Sequence, residues 1–159
     1  PDVAGAVTTA GNASGINDAA AALVLCSRSF AEAHGLRPLA TIRGWASAGV
    51  DPVETGLAPT HALPKALAKA GIAIGDLQSV EINEAFASMA VASTRILGLD
   101  PEIVNVNGSG CSLGHPIGCT GARMIVTMVN ELIRTDAQWG AVAMCAAGGM
   151  GSATVIERV

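Results

Sequence analysis

Short apolar runs alternate with longer amphipathic stretches along most of the chain, and glycine or proline marks most of the boundaries. From Leu39 onward this pattern predicts the order β-α-β-α-β-α-β-β. Strands that alternate with helices form parallel sheets covered on both faces, so we predict an α/β fold with a mainly parallel, five-stranded sheet. The last two strands are joined by only a few residues and must be antiparallel, which makes the sheet mixed.

The boundaries of the predicted elements follow from capping and breaking residues. The predicted strands cover residues 39–48, 79–82, 103–106, 139–145 and 153–159. A helix over residues 17–33, capped by Asn17 or Asp18, precedes this unit and ends before Gly35. Pro64 is expected to begin the next helix, and two further helices follow, at residues 84–97 and from a loop at 107–116 to about residue 134. Residues 1–38 therefore form an extra loop and helix before a domain at 39–159.

The composition limits the partners that the chain can bind. Hydrophobic residues make up 50% of it, charged residues 14%, and the net charge is -4. No run of Lys or Arg occurs, which argues against nucleic acid and anionic membranes as partners. No apolar run reaches the roughly 18 residues that span a bilayer. The four cysteines lack metal-ligand spacing, so we expect reduced thiols in the cytoplasm and no metal site.

Three short clusters supply side chains that suit acyl chemistry: an amide, an imidazole and a thiol. They are NEAFA at residues 83–87, GHPIG at 114–118 and CAAGGMG at 145–151. Each lies where a predicted strand gives way to a loop or a helix. If the three loops converge, they place an acid/base thiol beside hydrogen-bond donors for a carbonyl oxygen.

Each of these side chains also has a purely structural interpretation. Cys145 enters a glycine turn whose amides can face an oxyanion, but free cysteines are often simply buried. His115 precedes a helix, whose N-terminus disfavours imidazolium, so we expect a neutral ring that donates one hydrogen bond to a carbonyl. Asn83 lies at a strand-to-helix junction, where capping is the alternative. The other cysteines are expected to serve packing: Cys26, Cys111 and Cys119.

Four motifs, in order along the chain, resemble the C-terminal part of a thiolase, the family of acetyl-CoA acetyltransferases and 3-ketoacyl-CoA thiolases. They are GNASGIND at residues 11–18, NEAFA, NVNGSGCSLGHPIG at 105–118 and CAAGGMG. The resemblance implies a thiolase-like half, a five-stranded mixed sheet with helices on both faces, at residues 39–159. Residues 1–38 would be the end of the CoA-binding loop region and a helix of a missing N-terminal half.

The same resemblance implies a role for each site residue. His115 would activate a nucleophilic thiol and bind the thioester oxygen, and Asn83 would hold a water beside it. Cys145 would be the acid/base for the acetyl methyl carbon or the CoA thiol, and the Ala147 amide would serve a second oxyanion site. The pantetheine channel would be lined by Ser14, Ala10, Ala85 and Phe86. The loops would be shaped by Gly114, Gly148 and Gly149.

The resemblance implies reversible thiolysis or Claisen condensation of 3-ketoacyl-CoA, with CoA as a substrate and no cofactor. The family's nucleophilic cysteine motif does not occur in these residues. We therefore expect this chain alone to be inactive, to need an N-terminal thiolase half, and to work as a homodimer or homotetramer. Two alternatives remain: another condensing enzyme such as a ketoacyl synthase, and a non-catalytic thiolase-like binding or assembly module.

Overall fold

One mixed sheet organises the protein, whose computed structural model describes residues 4–159. Within these residues four strands form the sheet, in the spatial order β1-β4-β3-β2. Strand β4 runs antiparallel to both of its neighbours, whereas β2 and β3 are parallel. The strands are β1 (Ala40–Gly49), β2 (Ser79–Ile82), β3 (Trp139–Ala146) and β4 (Met150–Arg158).

Helices cover both faces of the sheet, as the sequence predicted. Helices α2 and α3 pack on one face, and α5 packs on the other. Within residues 4–159, no helix is both long enough and apolar enough to cross a membrane. The helices are α1 (Arg28–Ala33), α2 (Ala58–Ala70), α3 (Ala87–Leu97), α4 (Gly110–Leu113) and α5 (Thr120–Thr135).

The two cores follow from the side-chain periods of strand and helix. Ala141 and Ala143 of β3 belong to the core under α2, while Val142 between them belongs to the core under α5. Successive strand residues point to opposite faces, so an apolar run can serve both. On α5 the fully buried residues recur every fourth position and form one stripe: Met124, Met128 and Leu132.

The prediction of a mainly parallel sheet is wrong for the hydrogen-bonded strand pairs, most of which are antiparallel. Strands β1, β2 and β3 share one direction, but β4 inserts between β1 and β3. Only the β2–β3 pairing is therefore parallel among the pairs of this sheet. The sequence pattern gave the direction of each strand, whereas their spatial order depended on where the final hairpin strand paired.

The fifth predicted strand, at residues 103–106, is reduced to a single parallel bridge between Val80 and Val104. Asn105 ends the strand because its φ of 53° lies in the left-handed region. Its side chain then replaces the missing strand: Oδ1 accepts from the Ile82 N–H at 2.8 Å, and Nδ2 donates to the Ile82 carbonyl at 2.9 Å. The edge of β2 is thus satisfied by Asn105, whose backbone N–H also donates to the Val80 carbonyl at 2.8 Å.

The predicted helix at residues 17–33 is mostly absent, since only Arg28–Ala33 is helical. Val24 and Leu25 are 92% and 70% exposed, and Ala31 alone is buried among residues 4–38. Most helical stability comes from packing an apolar face, and here the described chain offers no such partner. Cys26 is accordingly exposed, contrary to the expectation that it serves packing.

The assignment of Pro64 to a helix start is also wrong. Helix α2 begins at Ala58, with Pro59 in its first turn, and Pro64 lies inside the helix on its exposed side. Pro59 is the residue that exploits the free N–H positions of a first turn. The buried stripe of α2 extends through both turns before Pro64, so core packing outweighs the hydrogen bond that this proline cannot make.

Candidate active site

The candidate site lies at the carboxyl ends of the adjacent parallel strands β2 and β3. Asn83 follows β2 directly, and its N–H donates to the carbonyl of Ala143 in β3 at 2.9 Å. The Asn83 side chain is fully buried. Because the pairing continues to this point, the residues that follow β2 and the end of β3 share one edge of the sheet.

Asn83 and His115 are brought into contact by the fold. The Asn83 Nδ2 lies 3.4 Å from Nδ1 and 3.5 Å from Nε2 of the ring. Nearly equal distances to both ring nitrogens mean that the amide is directed between them, so this is a weak polar contact. The Asn83 Oδ1 is buried without a hydrogen-bond partner. An unsatisfied buried acceptor costs free energy unless a donor such as water reaches it.

Two residues that the sequence did not single out for the site hold His115 in place. Its N–H donates to Asn17 Oδ1 at 3.0 Å, next to a bridge between Ile16 and His115. Asn17 had been expected to cap a helix. The ring Nδ1 lies 2.7 Å from Oγ1 of Thr120, the first residue of α5. Nothing in the sequence marked Thr120, because only the fold brings the His115 ring back over the helix start.

Burial and a half-buried cation set the electrostatics around the imidazole. Burial lowers the pKa of His115, and the nearby Arg123 guanidinium lowers it further, so the ring is neutral at neutral pH. Arg123 pairs with Glu81, whose side chain is 4% exposed. Burial raises the pKa of Glu81 despite the opposing effect of Arg123. In the part of the chain that the structure describes, no three His, Cys, Asp or Glu side chains are grouped to hold a metal ion.

A second polar network orders the loop that follows Asn83. Asn105 Nδ2 also donates to Glu84 Oε1 at 2.9 Å, and Glu84 Oε2 accepts from the Cys111 N–H at 3.2 Å. Cys111 is exposed, so it does not pack in the core as expected, although its Sγ lies 3.3 Å from the Glu84 carbonyl oxygen. Cys119 is buried, in agreement with a packing role. The loop of residues 83–87 is therefore tied to the loop that leads to His115.

Cys145 lies near the end of strand β3. Its Sγ is 3.3 Å from the Met89 Sδ of α3, on the face of the sheet that α2 and α3 cover. Burial raises the pKa of the Cys145 thiol, which keeps it protonated at neutral pH. Among residues 4–159 no hydrogen bond joins it to Asn83 or His115. The structure thus joins the amide to the imidazole and puts the thiol at the end of the neighbouring strand.

The turn after Cys145 presents its backbone to solvent. Ala147 and Gly148 are exposed, and Gly148 and Gly149 have φ of 85° and 80°. The non-glycine residues with positive φ in the described chain are Asn105 and Asp136, so the backbone of Ala147 does not require glycine. Gly149 anchors the turn: its N–H donates to Thr55 Oγ1 at 3.0 Å, and its carbonyl accepts from the Val50 N–H at 2.7 Å.

The residues predicted to bind pantetheine lie beside the Asn83 loop. The Ser14 N–H donates to the Ala85 carbonyl at 3.0 Å, and Ala13 forms an antiparallel bridge with Phe86. Ala10 belongs to a short exposed 3-10 turn, Ala10–Asn12. Gly114, with φ of 99°, abuts the Asn17 side chain, where a Cβ would clash. Residues 10–17 therefore form a partly exposed strip against the loops that hold Asn83 and His115.

Comparison with known proteins places this geometry in a family. The family described as "Thiolase, C-terminal domain" matches residues 36–158. The beta-ketothiolase BktB of Cupriavidus necator is 52% identical over 95% of this chain. The acetyl-CoA acetyltransferase of Escherichia coli is 51% identical over 99% of it.

Solved structures agree with the sequence comparison. The acetyl-CoA acetyltransferase of Bacillus anthracis superimposes with a TM-score of 0.93 at 50% identity, over 96% of this chain and 39% of that one. A human mitochondrial 3-ketoacyl-CoA thiolase in complex with CoA gives 0.89 at 38% identity, over 96% and 39%. The chain spans about two fifths of its curated relatives, 38% of the Cupriavidus protein and 40% of the Escherichia coli protein.

Proposed function

Because the chain belongs to the thiolase family, we propose that it supplies one side of an acyl-transfer site that thiolyses 3-ketoacyl-CoA with CoA and runs the reverse Claisen condensation. The contact between Asn83 and His115 is the observation that carries this proposal. It joins a buried amide to a neutral imidazole at the edge of the sheet where the thiol-bearing strand also ends. CoA is a substrate in this scheme, and no metal takes part.

Asn83 and His115 together form the first oxyanion site. The unpartnered Asn83 Oδ1 is satisfied by an ordered water, whose other proton points toward the thioester oxygen. His115 supplies the second donor once its ring has taken up a proton. Fixed donors of this kind stabilise the charge that develops on a carbonyl oxygen.

Two cysteine thiols and one imidazole carry the proton transfers of thiolysis. A cysteine outside these residues loses its proton to His115, and its thiolate attacks C3 of the 3-ketoacyl-CoA. The C2–C3 bond breaks, the acyl group stays on the cysteine, and the carbanion at C2 takes the proton of the Cys145 thiol to give acetyl-CoA. The Cys145 thiolate then removes the proton of CoA, whose sulfur attacks the acyl-enzyme. The bond between the acyl carbon and the cysteine sulfur breaks, the shortened acyl-CoA leaves, and the cysteine thiolate takes back the proton held by His115.

The environment of Cys145 suits this acid/base role. Burial keeps the thiol protonated in the resting state, so a proton is available for the carbanion. The exposed turn that follows offers the Ala147 amide as a donor for the second oxyanion site, on the side of Cys145. The two oxyanion sites thus belong to different strands, β2 and β3.

Residues 4–38 connect the site to the N-terminal thiolase half that we expect the chain to need. Their strip at residues 10–17 lies against Ala85 and Phe86, where it borders the path of a pantetheine arm. Their apolar side chains are widely exposed, including Ile16 at 99% and Val24 at 92%. Exposed apolar surface of this extent indicates an interaction site, and we assign it to the region that carries the nucleophilic cysteine.

A chimera tests the proposal. Residues 4–159 replace the matching C-terminal part of the Escherichia coli acetyl-CoA acetyltransferase, and thiolysis of acetoacetyl-CoA by CoA is measured. We expect turnover by the chimera and none by the 159-residue chain alone. Cys145→Ser in the chimera lowers the rate by about 10²–10⁴-fold, the usual contribution of a positioned acid/base, while mass spectrometry still detects an acyl-enzyme.

Cys26→Ser is the matched control, since Cys26 is exposed and is distant in sequence from the ends of β2 and β3. We expect this variant to keep the activity of the chimera. Full activity in the Cys145→Ser variant would show that Cys145 is structural. Turnover by the isolated chain would place the nucleophile within these residues, and a folded but inactive chimera would contradict the proposed function.

A further inference from the structure

Three groups surround the imidazole of His115: the Thr120 hydroxyl, the Pro116 carbonyl behind it and the Asn83 amide. The hydrogen bonding of the first two decides which ring nitrogen carries the proton. We propose that Thr120 is a positioning residue that holds His115 with its proton on Nδ1. Nε2 is then bare and ready to accept the proton of the nucleophilic thiol.

The Thr120 hydroxyl has a single proton and two candidate acceptors. Oγ1 lies 3.0 Å from the Pro116 carbonyl oxygen, which can only accept, and 2.7 Å from the His115 Nδ1. If the hydroxyl donates to Pro116, Nδ1–H donates to Oγ1 and two hydrogen bonds form. If it donates to Nδ1 instead, one forms. The count favours a protonated Nδ1.

The carbonyl of Pro116 also accepts from two backbone N–H groups. The Cys119 N–H lies at 2.7 Å and the Thr120 N–H at 2.9 Å. The Thr120 hydroxyl is the third donor to that oxygen, and this donation leaves the lone pairs of Oγ1 free to accept from Nδ1–H.

The Asn83 amide does not distinguish the two tautomers. Its Nδ2 lies 3.4 Å from Nδ1 and 3.5 Å from Nε2, so a proton on either ring nitrogen meets the same donor at nearly the same distance. The assignment therefore rests on the Thr120 hydroxyl and its two acceptors.

The catalytic role of this tautomer rests on the proposed function. The tautomer itself does not depend on that function. A bare Nε2 takes the thiol proton, and the resulting imidazolium donates that proton toward the thioester oxygen. One nitrogen thus acts first as base and then as donor. Thr120 Oγ1 continues to accept from Nδ1–H throughout, while the Arg123 cation favours return of the extra proton.

Nitrogen NMR on the 159-residue chain tests the tautomer without any activity assay. The chain is labelled at histidine, and His115→Gln identifies the signals of this ring among those of His34 and His61. At pH 8 we expect a pyrrole-like shift for Nδ1 and a pyridine-like shift for Nε2. A pyridine-like Nδ1 in the unmodified chain would overturn the proposal.

Two substitutions separate the hydroxyl from the packing of Thr120. Thr120→Val keeps the shape of the side chain. The Pro116 carbonyl loses the hydroxyl but still accepts from two backbone N–H groups. We expect it to remove the preference for Nδ1–H, whereas Thr120→Ser keeps it. The role of Thr120 would be contradicted if Thr120→Val left the nitrogen shifts of His115 unchanged. It would also be contradicted if Thr120→Ser changed them in the same way as Thr120→Val. If the Val variant unfolds, Thr120→Ala gives the same comparison.

The chimera adds a kinetic readout. Thr120→Val should lower kcat by about tenfold or more, a part of the usual general-base contribution, with KM unchanged, and Thr120→Ser should restore it. An unchanged kcat in the Val variant would show that the tautomer has no catalytic role. If the chimera is inactive, the proposed function fails, and the NMR result still decides the tautomer.

Discussion

The two sides of the candidate site are held together by different kinds of interaction. The His115 side depends on a network of buried and half-buried polar side chains that includes Glu81, Arg123, Ser109 and Asn105. The Cys145 side depends on close backbone packing, in which Gly149 lies against the carbonyl of Val50. The first is a network of charges and amides, and the second is a turn without room for a side chain at Gly149.

This difference predicts how each side fails. A buried polar network loses stability when one member is removed, because its partner is left unpaired at low dielectric. A closely packed turn loses stability when atoms are added, because neither neighbour can move cheaply. Truncation should therefore damage the His115 side, and enlargement should damage the Cys145 side.

The largest effect is expected from Arg123→Met, which leaves the carboxylate of Glu81 buried without its cation. Breaking such a pair costs about 3–5 kcal/mol in the free energy of unfolding, measured by urea denaturation at pH 7. The control is Arg43→Met, which removes a surface ion pair of 3.4 Å with Glu157 and should cost less than about 1 kcal/mol. Equal losses would show that Glu81 and Arg123 are not coupled through burial.

Enlarging the Cys145 turn should give the next largest loss. In Gly149→Ala the new Cβ meets the Val50 carbonyl oxygen and also occupies a positive φ, so we expect a loss of about 2–5 kcal/mol. Gly148→Ala has the same strain but meets nothing within 4 Å. It should cost only about 1–2 kcal/mol. If thermal unfolding ranks the two variants alike, packing against Val50 is not what holds the turn.

Removing the Asn105 side chain should cost less than either. Asn105→Gly keeps the left-handed backbone but leaves the N–H and carbonyl of Ile82 unsatisfied, at a cost of about 1–3 kcal/mol. Asp136→Gly is the matched control, because Asp136 has a φ of 55° and is 92% exposed. We expect little change there. Hydrogen exchange of the Ile82 amide should increase only in the Asn105 variant.

The smallest expected effect is a pH dependence of stability from His115. Because burial lowers its pKa in the folded state, the unfolded chain binds more protons as the pH falls. Stability should therefore decline below the unfolded pKa of about 6.5, with a slope of at most about 1.4 kcal/mol per pH unit from this group. His115→Gln should remove that contribution, and an unchanged slope would contradict a buried neutral ring.

The sequence predicted the strand–helix order because side-chain period and glycine or proline punctuation are local properties. It failed where a tertiary contact replaced a local preference. Residues 17–27 have the composition of a helix but, among residues 4–159, no surface to pack on. Asn105 interrupts a predicted strand, because its side chain makes the hydrogen bonds to Ile82 that the backbone of that strand would make. Pro64 lies inside a helix because the buried face of α2 extends past it.

The motifs likewise identified Asn83, His115 and Cys145 as chemically capable, since an amide, an imidazole and a thiol are visible in any sequence. The residues that tune them carried no local signal. Thr120 faces the His115 ring, and Arg123 pairs with Glu81 from another element, only after α5 packs across β2. The sequence determined which groups are present, and the tertiary structure decided their neighbours, because hydrogen bonds and charge interactions act across space and not along the chain.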